Sequence, residues 1–137
     1  MQVTLTAVTY GTLPFAEGFE GTWIDGCGPT GSRSIPTNSW RNTPAITDSS
    51  WRRDDDGASA GWNNISSYGY TPTGSGISLR SARFHAGNVL STRRGVLDLY
   101  IDCSSGVNTK QLTYDYINTS GNDSLRVSFS TDGGTTF

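Results

Sequence analysis

Asp54, Asp55 and Asp56 stand in a row behind Arg52 and Arg53 in the stretch WRRDDDGASAGW, residues 51–62. Adjacent carboxylates repel one another unless water, arginine or a cation screens them, so the stretch is a candidate for a hard cation held by oxygen. The EF-hand form of that chemistry needs oxygen ligands at the first, third and fifth loop positions, glycine at the sixth and glutamate at the twelfth. With Gly57 in the sixth place, Arg52 falls in the first and Asn63 in the twelfth. The EF-hand reading fails on those two residues. What stays open is a looser calcium site or a solvated turn salted by its own arginines.

The tryptophans and tyrosines offer a second kind of chemistry. Exposed Trp and Tyr present a rigid apolar plane with a polar tip, which stacks on sugar faces at little entropic cost. Trp40 and Trp51, each followed by arginine in a short polar run, read as inward strand positions that plug a core. Trp62, Tyr68 and Tyr70 sit in a stretch rich in glycine and serine with no alternation, and they are the candidate ligand-binding residues.

Catalytic constellations are poorly supplied. His85 is the single histidine, placed in RFHAG without a G-x-S-x-G nucleophile motif or an H-E-x-x-H zinc motif. A Ser-His-Asp or Cys-His arrangement would have to use it, and the expectation is a protein that is not an enzyme. Cys27 and Cys103 would close a loop of about 75 residues if paired, which the chain-entropy model values at roughly 4 kcal/mol, but spacing alone leaves their pairing open. Sequons at Asn64, Asn118 and Asn122 match the N-glycosylation pattern, which arises easily by chance in asparagine- and serine-rich loops.

These residues need elements to carry them, and the elements read as strands. VLDLYID (96–102), KQLTYDYIN (110–118) and DSLRVSFST (123–131) alternate with a period of two, the signature of half-buried strands. Leu97, Leu99 and Ile101 share one face of the first. Leu125, Val127 and Phe129 are expected to face the core from the last. Short turn segments join the three, which predicts successive antiparallel strands. Upstream, QVTLTAV alternates through Val3, Leu5 and Ala7, residues 77–85 carry a strand with Ala82 and Phe84 inward, and short strands are expected around Phe19, Trp40 and Trp51. No segment sustains a 3.6-residue apolar repeat. The fold class predicted is all-β, a two-sheet antiparallel sandwich or jelly roll forming one domain over residues 1–137, with 1–12 as an N-terminal strand or linker. At the end of the chain, STDGGTTF reads as a strand, a hairpin turn and a return arm cut short. The edge of Ser124–Thr131 would then be open to pairing with another chain.

In their order, PFAEGFEGTW, NSWRNT, SSWRRDDDGASAGW, SLRSARFHAG, GVLDLYIDCS and LTYDYINTSGNDSLRVSFSTDGGTTF resemble the MAM-like jelly-roll modules of secreted and surface proteins of Bacteroidetes, among them choice-of-anchor J and cleaved-adhesin domains. The resemblance runs from about residue 13 to the end. It implies a jelly-roll fold, export directed by a signal outside this chain, and service in adhesion or in recognition of a glycan or a surface protein. The family pattern continues beyond STDGGTTF with closing strands, so the resemblance implies a domain incomplete at its C-terminus. It also singles out Glu20, in the GFEG run, as a ligand of a structural cation, Ca²⁺ or Na⁺. Loop position adds Asp25 and Asp48 as candidate co-ligands. Two rival roles stay open: a purely structural spacer, and an accessory fragment of a secreted hydrolase.

Composition sets outer limits. Nine arginines and one lysine, Lys110, face ten aspartates and two glutamates for a net charge of -2, with no basic stripe to neutralise phosphates. Nucleic acid is therefore not an expected partner. No run of apolar residues approaches the length of a membrane-spanning helix, and the first ten residues lack the pattern of a signal peptide.

Overall fold

A computed structural model describes residues 7–56, 78–84, 93–105, 109–118 and 124–137. Trp62, Tyr68, Tyr70 and His85, together with Val3, Leu5 and the sequons' Asn64 and Asn122, lie outside the described residues. The chain divides into two units, Met1–Gly106 and Val107–Phe137.

All regular structure among the described residues is β. Six short strands are present: β1 (Gly11–Thr12), β2 (Trp40–Thr43), β3 (Trp51–Arg53), β4 (Ala82–Phe84), β5 (Val96–Leu99) and β6 (Ile101–Asp102). They form three two-stranded ladders, with β2 antiparallel to β5, β3 antiparallel to β4, and β1 parallel to β6. An isolated antiparallel bridge joins Ile24 to Ile35.

The alternation in VLDLYID does yield strand, divided at Tyr100 because that residue serves two neighbours. Its N–H donates to Ser39 O at 2.9 Å while its carbonyl accepts from Gly11 N at 2.9 Å, so one peptide ties β5 to the segment before β2 and β6 to β1. Asp98 lies opposite Arg41 across β2 and β5, an opposite-charge pair on one sheet face. Pro44, which has no N–H to offer a ladder, closes β2. The strands expected at Trp40 and Trp51 exist. Phe19 instead sits in a turn at φ 61, outside any strand. Of the described residues of the strand expected over 77–85, Ala82–Phe84 form β4, while 78–81 are bound by the side chains of Glu20 and Asp54 and lie in no strand.

Unit 1 has a small aromatic centre. Phe19 packs against Trp23 and Trp40 with ring centroids 6.1 and 6.0 Å apart, and Phe15 meets Trp40 at 6.4 Å, all within the range of favourable ring contacts. A separate pair, Trp51 and Phe84, joins β3 to β4 at 5.5 Å. Trp40 and Trp51 are half-buried; of the described tryptophans the one removed from solvent is Trp23, at 2% exposure.

What else is buried is mostly polar. Among the described residues only Trp23 and Ile35 are buried hydrophobics, whereas Ser32, Ser34, Ser39, Asn42, Asp48, Ser50 and Arg52 are buried polar or charged residues. Polar groups withdrawn from water need partners inside, and hydrogen bonding joins most of this interior, though Ser32 Oγ and Arg52 Nε are buried without one.

Unit 2 departs from the sequence expectation. Residues 110–118 and 124–130 lie in no strand, and their apolar side chains face solvent instead of a core. Leu112, Tyr114, Tyr116, Ile117, Leu125, Val127 and Phe129 are all exposed. Alternation decides which residues share a face of an extended chain. It does not supply the neighbour that a ladder needs. At the end of this unit the residues expected to make a hairpin turn form a bend with no strand on either side: Asp132 Oδ1 accepts from Ser130 Oγ at 2.6 Å, Thr135 N at 3.0 Å and Thr136 N at 2.9 Å, and its Oδ2 accepts from Thr136 Oγ1 at 2.6 Å.

Candidate functional site

The acidic turn follows β3 directly, and arginines from three places converge on it. Asp56 N donates to Arg53 O at 3.0 Å, closing the turn. Asp55 takes the Arg53 guanidinium through two bonds, Nε to Oδ1 at 2.6 Å and Nη2 to Oδ2 at 3.1 Å, and Arg80 Nη1 lies 3.1 Å from Oδ2. Asp54 has Arg80 at 3.9 Å and accepts from Ser81 N at 3.3 Å, while Asp56 has Arg33 at 3.4 Å. Arg53 also donates to the carbonyls of Glu20 and Gly21 at 3.2 and 2.8 Å, fastening the turn to the GFEG run. The carboxylates are thus screened by guanidinium groups, and of the two arginines adjacent in sequence Arg53 is hydrogen-bonded to Asp55.

Arg52 turns the other way. In β3 the burial alternates so that Trp51 and Arg53 are half-buried and Arg52 is fully buried. The inward position of this strand is therefore the arginine. Its Nη1 donates to Ser50 Oγ at 2.6 Å and Trp51 O at 2.7 Å, and its Nη2 donates to Ala45 O. Burial lowers its pKa to about 10, and the Asp56 charge opposes that shift. Beside it, Asn42 Nδ2 donates to Ser34 O at 2.9 Å, Ser50 Oγ at 3.2 Å and Trp51 O at 2.7 Å, and Asn42 Oδ1 accepts from Trp51 N at 3.2 Å. One signal for Asn42 was present in the sequence, since it lies two residues beyond Trp40 on the inward face of β2. Nothing in the pattern marked Arg52.

The three residues nominated for a cation are placed apart in their bonding. Glu20 Oε1 accepts from Ser78 Oγ and Arg80 N at 2.9 Å each and from Leu79 N at 2.5 Å. The Ser78 hydroxyl foremost, helped by those amides and the Arg80 charge and opposed by partial desolvation, holds the Glu20 pKa below its ordinary value. Asp25 accepts from Arg33 N at 3.0 Å and Gly31 N at 2.7 Å; these bonds clasp the loop containing Cys27 and hold the Asp25 pKa below its ordinary value. Asp48 is buried with Arg93 Nη2 at 3.8 Å. Among the described residues no three His, Cys, Asp or Glu side chains are grouped to hold a metal ion. Cys27 and Cys103 are both exposed free thiols.

Comparison with family models, with curated proteins and with solved structures returns no match. The resemblance to MAM-like modules therefore rests on its quoted motifs alone. No helix among the described residues is long and apolar enough to cross a membrane.

The depressed carboxylates give unit 1 a dependence on acid. Glu20 and Asp25 have folded pKa values below their unfolded ones, so their contribution to stability is present above the ordinary carboxylate range and is lost as pH falls through the folded values. Asp98, raised by burial against the pull of Arg41, works in the opposite sense and offsets part of that loss. Urea midpoints measured from pH 7 down to pH 2 are expected to fall below about pH 4. In Glu20→Gln, where no charge remains to protonate, the fall is expected to be shallower; an unchanged profile would show that the Glu20 clasp contributes nothing.

Proposed function

We propose that the chain is a non-catalytic recognition module of the cell exterior, built on a jelly-roll plan, that binds a glycan or a surface protein through exposed aromatic side chains. The observation that carries this reading is the apolar surface of unit 2. Tyr114 and Tyr116 are 58% and 52% exposed, next to exposed Leu112 and Ile117. Large aromatic groups left in water are costly, and a cluster of them marks a surface meant to be covered. Tyrosine suits such a surface because its ring stacks while its hydroxyl remains hydrogen-bonded. In an extended chain, positions 114 and 116 lie on one face about 6.6 Å apart, which lets two rings engage one ligand.

The adhesion and recognition roles implied by the resemblance point the same way, as does the exposed position of the carriers. Trp62, Tyr68 and Tyr70 belong to the same proposal as further stacking residues. A glycan array and a cell-surface protein array, probed with the wild type and with Tyr114→Ala/Tyr116→Ala and Trp62→Ala variants, provide the test. Binding weakened at least about tenfold by the tyrosine pair is expected, in line with stacking worth ~1–3 kcal/mol per ring. Absence of any ligand, or binding indifferent to all three substitutions, would remove the reading in favour of a spacer.

A further inference from the structure

Residues 96–102 run extended through β5 and β6, and successive side chains leave on opposite sides. The inward side is fixed by its neighbours. Leu97 and Leu99 stand opposite buried Asn42 and half-buried Trp40, and a carbon added at Gly11 would meet both Phe15 and Ile101, so Leu97, Leu99 and Ile101 face the aromatic centre. Asp98, Tyr100 and Asp102 therefore share the outward side, spaced about 6.6 Å apart. Their cross-strand neighbours are Arg41 for Asp98 and, in the parallel register of β1 with β6, Thr12 for Asp102. Tyr10 comes one residue before that register and packs on Tyr100 at 5.9 Å with the rings at 84°. Two braced tyrosine rings thus lie in the middle of a strip, with a carboxylate to either side of Tyr100.

We propose that this strip binds a neutral glycan, with Tyr10 and Tyr100 stacking on sugar rings and Asp98, Arg41 and Asp102 taking their hydroxyl groups. A sugar presents C–H faces rimmed by hydroxyls. Tyr10, 53% exposed, offers ring surface to those faces, and because the two rings brace each other little side-chain freedom is left to lose on binding. Asp98 answers the hydroxyls. It is half-buried, yet among the described residues its carboxylate holds no hydrogen bond or ion pair, and Arg41 opposite acts on it through charge. Burial pushes the Asp98 pKa up, and hydroxyl donors from a ligand would supply the bonds that burial took from water, in the charge-assisted form that is the stronger one. Charge selects the class of sugar. Two carboxylates stand beside one guanidinium, so sulfated or sialylated glycans meet net repulsion. A peptide is a poorer match, because peptides add to sheet edges through their backbone and this strip is the face of a sheet. The site goes beyond the reading above, which rests on the tyrosines of unit 2.

The test is a titration of the intact, isotope-labelled chain with neutral hexasaccharides of glucose, mannose and xylose, followed by NMR, with a sulfated hexasaccharide for comparison. At least one neutral sugar is expected to shift the resonances of Tyr10, Arg41, Asp98 and Tyr100, and the sulfated sugar is expected to leave them in place. Tyr10→Ala should raise the dissociation constant read at these resonances at least about tenfold, the loss of one stacked ring. Asp98→Asn keeps the side-chain shape, removes the charge and should raise it about fivefold; it also keeps the proposal falsifiable if Tyr10→Ala disturbs β1. Weakening by these two substitutions, with the shifts intact in Tyr114→Ala/Tyr116→Ala, would support the site whatever the tyrosines of unit 2 bind. Shifts lost in the Tyr114→Ala/Tyr116→Ala protein and unaffected by Tyr10→Ala would preserve the reading on unit 2 and overturn this one. No shift with any neutral sugar, shifts as large with the sulfated sugar, or an affinity indifferent to both Tyr10→Ala and Asp98→Asn would each overturn it as well.

Discussion

Asn42→Ala is expected to lower the unfolding free energy by about 3 kcal/mol, read as a shift in urea midpoint with unchanged slope. The side chain is 6% exposed, and its amide satisfies Ser34 O and Trp51 N, two backbone groups from separate stretches, besides sharing Ser50 Oγ and Trp51 O with Arg52. Alanine removes the partner and leaves those groups buried, and each orphan costs roughly 1–3 kcal/mol. Thr43→Ala, one residue on and facing solvent at the end of β2, is expected to stay within about 0.5 kcal/mol. Equal effects at the two positions would show that the buried network does not hold β2 to β3.

Gly95→Ala is expected to be similarly damaging for a steric reason. A Cβ at Gly95 would overlap the backbone carbonyl oxygen of Ser49 and stand 2.5 Å from Phe84 Cε2. The ring could rotate away, but a backbone oxygen has no such freedom. Relief requires moving the chain, and Gly95 O is the acceptor for Trp51 Nε1 at 3.1 Å, so the shift also strains the Trp51–Phe84 contact between β3 and β4. Overpacking of this kind costs about 1–3 kcal/mol and occasionally more. Gly21→Ala, where nothing lies within 4 Å of the added carbon, serves as the control and is expected to be neutral. Thermal midpoints followed by tryptophan fluorescence would separate the two, and a Gly95→Ala protein melting with the wild type would refute the close approach.

Where side chains alternate over a strand that has a neighbour, the sequence was a good guide. VLDLYID became β5 and β6, Trp40 and Trp51 opened β2 and β3, and the aspartates formed an arginine-screened turn where WRRDDD ends. Three features were hidden for physical reasons. β3 is only three residues long, too short for a period to tell its inward face, and the side that turned in carries Arg52 instead of Trp51. Glu20 carried a family expectation of a cation, yet its Oε1 gathers Ser78, Leu79 and Arg80, donors some sixty residues away that no local pattern could announce. Residues 110–118 and 124–130 alternate as well as any strand in the chain, but pairing is a property of two segments, and periodicity describes one.

The polar interior of unit 1 bears on how stability responds to temperature. The heat capacity of unfolding rises with apolar surface exposed and falls with polar surface exposed. An interior where, among the described residues, Ser34, Ser50, Asn42 and Arg52 are buried beside two buried hydrophobics, Trp23 and Ile35, is expected to unfold with a small heat capacity change. The enthalpy of unfolding then varies little with temperature, and the stability curve is broad and shallow. Cooling weakens hydrophobic burial far more than it weakens hydrogen bonds. A unit held this way keeps its fold in the cold, and its working range is bounded chiefly from the warm side.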